Sequence, residues 1–213
     1  MLNIKSFTVN PLGENTYLLW DETKKAAIVD CGAFFEEEKS VIDEFISENN
    51  LQVERLLLTH AHFDHIFGAQ HIYSNYSICP EVSKDDVLTY SIAKEQMLLF
   101  MHREIPLDLP PLKGTFSEDD ILKFGKSSLQ VIAMPGHTPG GVCFYDASNG
   151  ILLSGDSLFR GSIGRTDLPG SSHETLIKSL SEKIMTLPDN TRVLPGHGGE
   201  TTIAYEKMYN PYL

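Results

Sequence analysis

A layered α/β domain is the fold class this sequence predicts, on three observations. Short strand-like segments alternate with amphipathic helical ones along the whole chain. One apolar strand, Val53 to Leu58, runs straight into Thr59-His60-Ala61-His62-Phe63-Asp64-His65. Three later strands end in the same way, with a Gly or Pro turn and then a His or an Asp. At 213 residues the chain is expected to be one domain over 1–213, burying about 70% of its unfolded surface.

In order, Leu2 to Val9, Asn15 to Trp20 and Ala26 to Asp30 read as strands, separated by turns at Pro11-Leu12-Gly13 and Asp21-Glu22. A helix follows from about Glu36 to Asn49. Its three leading glutamates suit the N-terminal dipole, and Val41, Ile42, Phe45 and Ile46 form its apolar face. After the His-rich segment a helix is expected over Ile66 to Tyr76, then a short strand at Ser77 to Cys79 stopped by Pro80. Ser83 suits an N-cap for one long helix to about His102, with Asp85 and Asp86 in its first turn. That helix ends in Met97-Leu98-Leu99-Phe100-Met101, more apolar than one buried stripe requires. Burial against the sheet is one account of this stretch; the other is that part of it covers the site mouth and meets an apolar portion of the substrate. Strands return at Ile121 to Phe124, Leu129 to Met134, Val142 to Tyr145, Ile151 to Leu153 and Arg192 to Leu194. Helices are expected at about His173 to Thr186, capped by Ser171-Ser172, and at Thr201 to Tyr209.

Composition narrows the function classes. The chain is 41% hydrophobic and 22% charged, with a formal net charge of −12. No basic run exceeds Lys24-Lys25, so nucleic acid is not an expected partner. No apolar window reaches the roughly 18 residues of a spanning helix, and the start of the chain alternates like a strand instead of a signal peptide. Cys31, Cys79 and Cys143 are odd in number and widely spaced, which fits free thiols in a reducing compartment. A cytoplasmic location is the expectation.

The chemistry concentrates in the His-rich segment. Alternate residues of an extended chain share a face, so His60, His62 and Asp64 can point together, and a turn would aim His65 at a second point. A single catalytic zinc asks for three protein ligands, so four candidates within six residues suggest two metals. Met134-Pro135-Gly136-His137, Leu153-Ser154-Gly155-Asp156 and Leu194-Pro195-Gly196-His197 supply further candidates, each behind a strand and a tight turn. His71, His102 and His173 match no such arrangement.

With these segments in place the chain resembles the metallo-β-lactamase-fold superfamily over nearly its whole length. The resemblance implies a four-layer αβ/βα sandwich and assigns His60, His62 and His137 to one metal, Asp64, His65 and His197 to a second, and Asp156 to both. Asp30 would orient a ligand from behind, or simply cap a strand-end turn. Ser154-Gly155-Asp156-Ser157-Leu158-Phe159, Gly161 to Asp167 and Pro195 to Gly199 are most similar to the short glyoxalase II-type hydrolases. The longer members carry a helical C-terminal extension that this sequence lacks, which leaves glutathione specificity open. Arg165 falls where those enzymes place a cationic substrate-binding residue; a salt bridge with neighbours on the Asp156 loop or with Asp167 is the structural alternative.

The implied activity is hydrolysis of a small-molecule thioester by a hydroxide held between two divalent ions, with Asp64 holding its proton. Zinc is the expected metal, with iron or manganese also suited to such ligands. The alternative within the fold is a mononuclear-iron persulfide dioxygenase, relatives of which also carry a Gly-Arg-Thr-Asp segment like Gly164 to Asp167. A β-lactamase would be exported and a nuclease would need a basic surface, so both rank lower.

Overall fold

The computed structural model describes residues 2–102 and 106–213. The first sheet takes its strands in chain order: β1 (Asn3–Val9), β2 (Glu14–Trp20), β3 (Lys25–Val29), β4 (Gln52–Leu57), β5 (Pro80–Ser83) and β6 (Gly114–Phe116). Pairing is antiparallel from β1 to β3 and parallel from β3 to β6. Each parallel step needs a crossover. These are α1 (Glu36–Glu48), α2 (Ala69–Tyr76) and the pair α3 (Val87–Ser91) and α4 (Ala93–Met101). The second sheet contains β7 (Ile121–Phe124), β8 (Ser127–Ala133), β9 (Val142–Asp146) and β10 (Ile151–Gly155). A small ribbon, β11 (Leu158–Phe159) and β12 (Ser162–Ile163), and then α5 (His173–Ser179) lead to β13 (Arg192–Pro195), β14 (Thr201–Thr202) and α6 (Ile203–Tyr209). Its spatial order is β14-β13-β10-β9-β8-β7, and only β10 and β13 are parallel neighbours.

The layering follows from strands that are apolar on both faces. On the first sheet Leu18, Ile28 and Leu56 face outward to Ile42, Ile46, Ile72 and Met97 of the helices. Their neighbours Leu19, Val29 and Leu57 face inward and meet Val131, Phe144, Leu153 and Leu194 of the second sheet. The alternate residues of that sheet, Ile132, Cys143, Leu152 and Val193, turn away and pack on Leu176, Leu180, Ile184 and Ile203. Three cores therefore separate four layers, helix, sheet, sheet and helix, as the family resemblance implied. Leu57 is fully buried between the sheets, and truncating such a leucine to alanine costs about 2–5 kcal/mol.

Several elements depart from the expected boundaries. The predicted strand at Ser77 to Cys79 lies three residues later, at Pro80–Ser83. Pro80 opens this strand instead of stopping it, which a proline tolerates at a first strand position. The single helix expected from Ser83 to His102 is a 3₁₀ turn over Lys84–Asp86 followed by α3 and α4, broken at Ile92, where φ is −105° and ψ is 15°. Ser83 caps the 3₁₀ turn through Asp85 N. The helix expected from Ile66 starts at Ala69, because His65 and Gly68 both tie into Cys31 through the backbone. Beyond Ser179, α5 widens into a π-helical turn, Leu180–Ile184.

Candidate metal centre

The site forms at the C-terminal ends of β4, β10 and β13, where the two sheets open. Leu58 N bonds Glu81 O in the first sheet, and Val142 N bonds Thr59 O across to the second, so the segment after β4 is pinned from both sides. A 3₁₀ turn over Phe63–His65 then reverses the chain and sends His65 inward. After β10, Gly155 takes φ +49°, where a Cβ would strike the Thr59 side chain, so the position calls for glycine, and this turn delivers Asp156.

All seven residues expected as ligands converge. Donor atoms of His60, His62 and His137 lie within 4.8 Å of one another, and so do those of Asp64, His65 and His197. Asp156 stands between the two groups. Its Oδ1 is 3.4 Å from His65 Nε2, and its Oδ2 is 3.6 Å from His197 Nε2 and 3.7 Å from His137 Nε2. Asp64 Oδ2 lies 3.3 Å from His197 Nε2.

Contacts on the far side of four of the five rings orient them. His65 Nδ1 faces Asp30 Oδ2 at 3.0 Å, and His60 Nδ1 faces Thr59 Oγ1 at 3.1 Å. His137 Nδ1 donates to Arg165 O at 2.8 Å and His197 Nδ1 to Leu12 O at 3.2 Å. With Nδ1 so engaged, each ring turns its Nε2 lone pair to the centre, the arrangement metal-ligating histidines adopt. His60 Nε2, His137 Nε2 and Asp156 Oδ1 are buried yet have no hydrogen-bond partner in the protein. Orphaned buried donors and acceptors are costly, and metal ions satisfy all three. The donor set thus fits two divalent cations.

Electrostatics agree. Burial pushes the His60 and His62 imidazoles down, His62 to about 3, so both are neutral at physiological pH. Burial would raise Asp64 and Asp156, but the neighbouring histidines outweigh it and hold both carboxyls ionised. His65 and His197 are raised against the pull of burial by the carboxylates around them.

Asp30 is buried at the end of β3 with φ +56°. Besides His65 it accepts from Thr59 N at 2.8 Å and Thr59 Oγ1 at 2.7 Å. It stands behind His65 directly and behind His60 through Thr59. Arg165 lines the cavity, but its guanidinium makes a bidentate pair with Asp167 at 2.7 and 2.8 Å. The structural alternative for this residue is the one formed. His71 bonds Asp43 at 2.9 Å away from the site, His173 opens α5, and His102 lines the outer cavity.

Four supporting residues carried no local signal. Glu14 is fully buried beside His65, and its Oε2 accepts from Gly32 N. Asn15 Nδ2 reaches Pro195 O and Gly198 O, holding the loop that bears His197. Asn10 Nδ2 bonds Gly32 O and Asp64 O, while Glu38 accepts from Asn10 N, Phe34 N and Phe35 N. Their partners are mostly backbone groups far along the chain, which no spacing rule reveals.

Above the donors opens a cavity of about 780 Å³, walled by Leu12, Phe63, Ile92, Leu99, Phe100, Leu168 and Pro169. The apolar end of α4 therefore divides its labour. Met97 is buried in the core, whereas Leu99 and Phe100 line the cavity, Phe100 stacking on Phe63 at 5.5 Å.

An αβ/βα sandwich with a His/Asp donor set at one end of its sheets defines a metal-dependent hydrolase. The chain belongs to the metallo-beta-lactamase superfamily, whose model matches residues 9–197. It is similar to the hydroxyacylglutathione hydrolase GloC of Haemophilus influenzae, 35% identical over 100% of this chain and 98% of that one. Among solved structures, BLEG-1, a B3 metallo-beta-lactamase, superposes with a TM-score of 0.90 at 33% identity, over 99% of both chains. TTHA1623 in a di-iron-bound form gives 0.84 at 35% identity, covering 98% of this chain and 100% of that one. ETHE1 from Myxococcus xanthus gives 0.80 at 25% identity, covering 98% and 83%. No helix among the described residues is long and apolar enough to cross a membrane.

Proposed function

We propose that the protein is a two-metal thioesterase of the glyoxalase II type acting on small-molecule thioesters. One observation carries the reading: two donor triads flank one shared carboxylate, Asp156, beneath an apolar-walled cavity. His60, His62 and His137 would hold one ion, Asp64, His65 and His197 the other. Divalent ions bound there supply a water that ionises near neutral pH and a Lewis acid for the thioester carbonyl. Imidazole and carboxylate ligands suit zinc, and iron or manganese are compatible.

The protein's own groups do the rest. Asp30 and Thr59 hold His60 and His65 in one tautomer and orientation. Asp64, kept ionised by its histidine neighbours, can accept the proton of the attacking water at a carboxylate oxygen. Phe63, Leu99 and Phe100 exclude bulk water and receive the apolar part of the substrate. A thiolate leaves readily, so no strong general acid is required. A substrate carboxylate that seeks Arg165 must compete with Asp167 for it. The reading is supported by the similarity to GloC, named as a hydroxyacylglutathione hydrolase. Three free cysteines suit a reducing, cytoplasmic setting.

The similarity to BLEG-1 favours β-lactam hydrolysis as the second reading. Parallel assays of one metal-loaded preparation separate the reactions: lactoylglutathione and a simple thioester, a chromogenic cephalosporin, and oxygen uptake with glutathione persulfide. Thioester hydrolysis well above the other two supports the proposal. Cephalosporin turnover as the leading activity, or oxygen uptake with one iron per chain, overturns it.

A further inference from the structure

Asp86 is a buried carboxylate for which the proposed reaction has no use. The sequence places it at a helix start, where an acidic residue usually faces solvent and the dipole. In the structure it is fully buried and points between two loops. Its Oδ2 accepts from Ala61 N at 2.9 Å, the amide between His60 and His62. Its Oδ1 accepts from Gly140 N at 3.2 Å, three residues beyond His137, and from Thr89 Oγ1 at 2.7 Å. The first loop leaves β4 in one sheet and the second enters β9 in the other. The approach of the second loop is close. A Cβ at Gly140 would collide with the backbone of residues 85 and 86 and lie 2.8 Å from Asp86 Cβ.

We infer that Asp86 is a positioning residue that sets the spacing of His60, His62 and His137 by tying their two loops together, and so governs how tightly that triad holds its ion. The inference rests on reading the triad as a metal site. The Asp64, His65 and His197 set is held by other groups, Asn10, Asp30, Asn15 and Leu12 O. A change at Asp86 should therefore act on one ion and spare the other.

The test is a cobalt(II) titration followed by visible absorption, with zinc competition against a chelator. His62→Ala marks the step that belongs to the triad. Asp86→Asn keeps the shape but turns one acceptor into a donor, so it must break either the Ala61 link or the Gly140 link, while Thr89 Oγ1 can reverse and accept. Residues that support metal ligands from behind typically change affinity by about 10- to 100-fold. That loss is expected at the triad's ion alone, with the second ion's affinity unchanged. Thr89→Val removes one donor and leaves the carboxylate; a few-fold weakening of the same ion is expected, and this variant decides the matter should the asparagine variant fail to fold. Equal weakening of both ions, as a merely structural role would give, overturns the inference. Unchanged affinity in a folded Asp86→Asn, or in Thr89→Val where only that variant folds, overturns it too. Wild-type protein that takes up no metal overturns the reading of the triad, and this inference with it.

Discussion

Replacing Asp30 with asparagine removes a charge while leaving the backbone where it is. Asp30 adopts φ +56°, and asparagine is among the few residues that enter this left-handed region readily. The carboxylate accepts three hydrogen bonds, from Thr59 N, Thr59 Oγ1 and His65 Nδ1. An amide retains one acceptor oxygen. With that oxygen on Thr59 N, the new NH₂ faces Thr59 Oγ1 and His65 Nδ1, the positions of former donors. His65 must then carry its proton on Nε2 and lose the lone pair aimed at the centre. Thr59 Oγ1 turns its hydrogen toward His60 Nδ1, and the same exchange follows there.

A hydrogen bond to a charged group contributes about 1.5–3 kcal/mol, and about 1.4 kcal/mol is tenfold in affinity. Asp30 is buried, at 1% exposure, so solvent screening does little to reduce the effect. The expected loss is about 10- to 150-fold in affinity at each ion, both triads being reached. Competition with a chelator of known affinity measures this, and far-ultraviolet circular dichroism confirms the fold. Folded Asp30→Asn protein that binds both ions as wild type does would refute the orientation argument.

The pH dependence of the metal-free protein follows from the shifts. Below pH 6.5 an unfolded chain takes up protons that folded His60 and His62 refuse, so stability falls as pH drops. Above 6.5 folded His65 and His197 keep protons that the unfolded chain has released, so stability falls as pH rises through their raised values. Glu14, which burial also keeps protonated above its ordinary 4.5, adds to that fall, so the melting temperature should peak between pH 4.5 and 6.5; a monotonic rise through 6.5 contradicts the assignment. In Gly196→Ala the new methyl group would strike Asp156 Oδ1 and lie 2.8 Å from His65 Cε1, so the variant should lose metal and hydrolysis together. Retention of both ions in a folded variant would count against Asp156 as the shared carboxylate. Leu99→Ser should raise KM several-fold for thioesters with an apolar acyl chain and leave kcat nearly unchanged, since it removes binding common to ground and transition states. An equal drop in kcat would place Leu99 nearer the chemistry than the cavity wall.

The donors themselves were legible because their signal is local. A buried strand, a tight turn and a ligand-type side chain lie within a few residues at His60, His137, Asp156 and His197, and the three-dimensional fold gathers what the pattern had marked. A layered α/β fold was legible for a similar reason, since consecutive apolar residues in a short strand must be buried on both faces, whereas the four-layer arrangement came only with the family resemblance. The supporting frame was not. Asp86, Asn10 and Asn15 act on backbone groups as far as 183 residues away, and a carboxylate that satisfies amides from two sheets looks, in sequence, like any acidic residue at a helix start. The break at Ile92 carries neither Gly nor Pro to announce it. At Pro80 the local signal misleads, because a proline marks the end of a strand as readily as its first position, and its ladder partner, Leu56, is what shows it to be a first position.

Metal content measured on protein purified without added metal, alongside lactoylglutathione hydrolysis before and after chelation, tests the central claim most directly. The account predicts two ions per chain, with hydrolysis that disappears on chelation and returns when metal is restored. A single ion per chain, or full hydrolysis by metal-free protein, would contradict it.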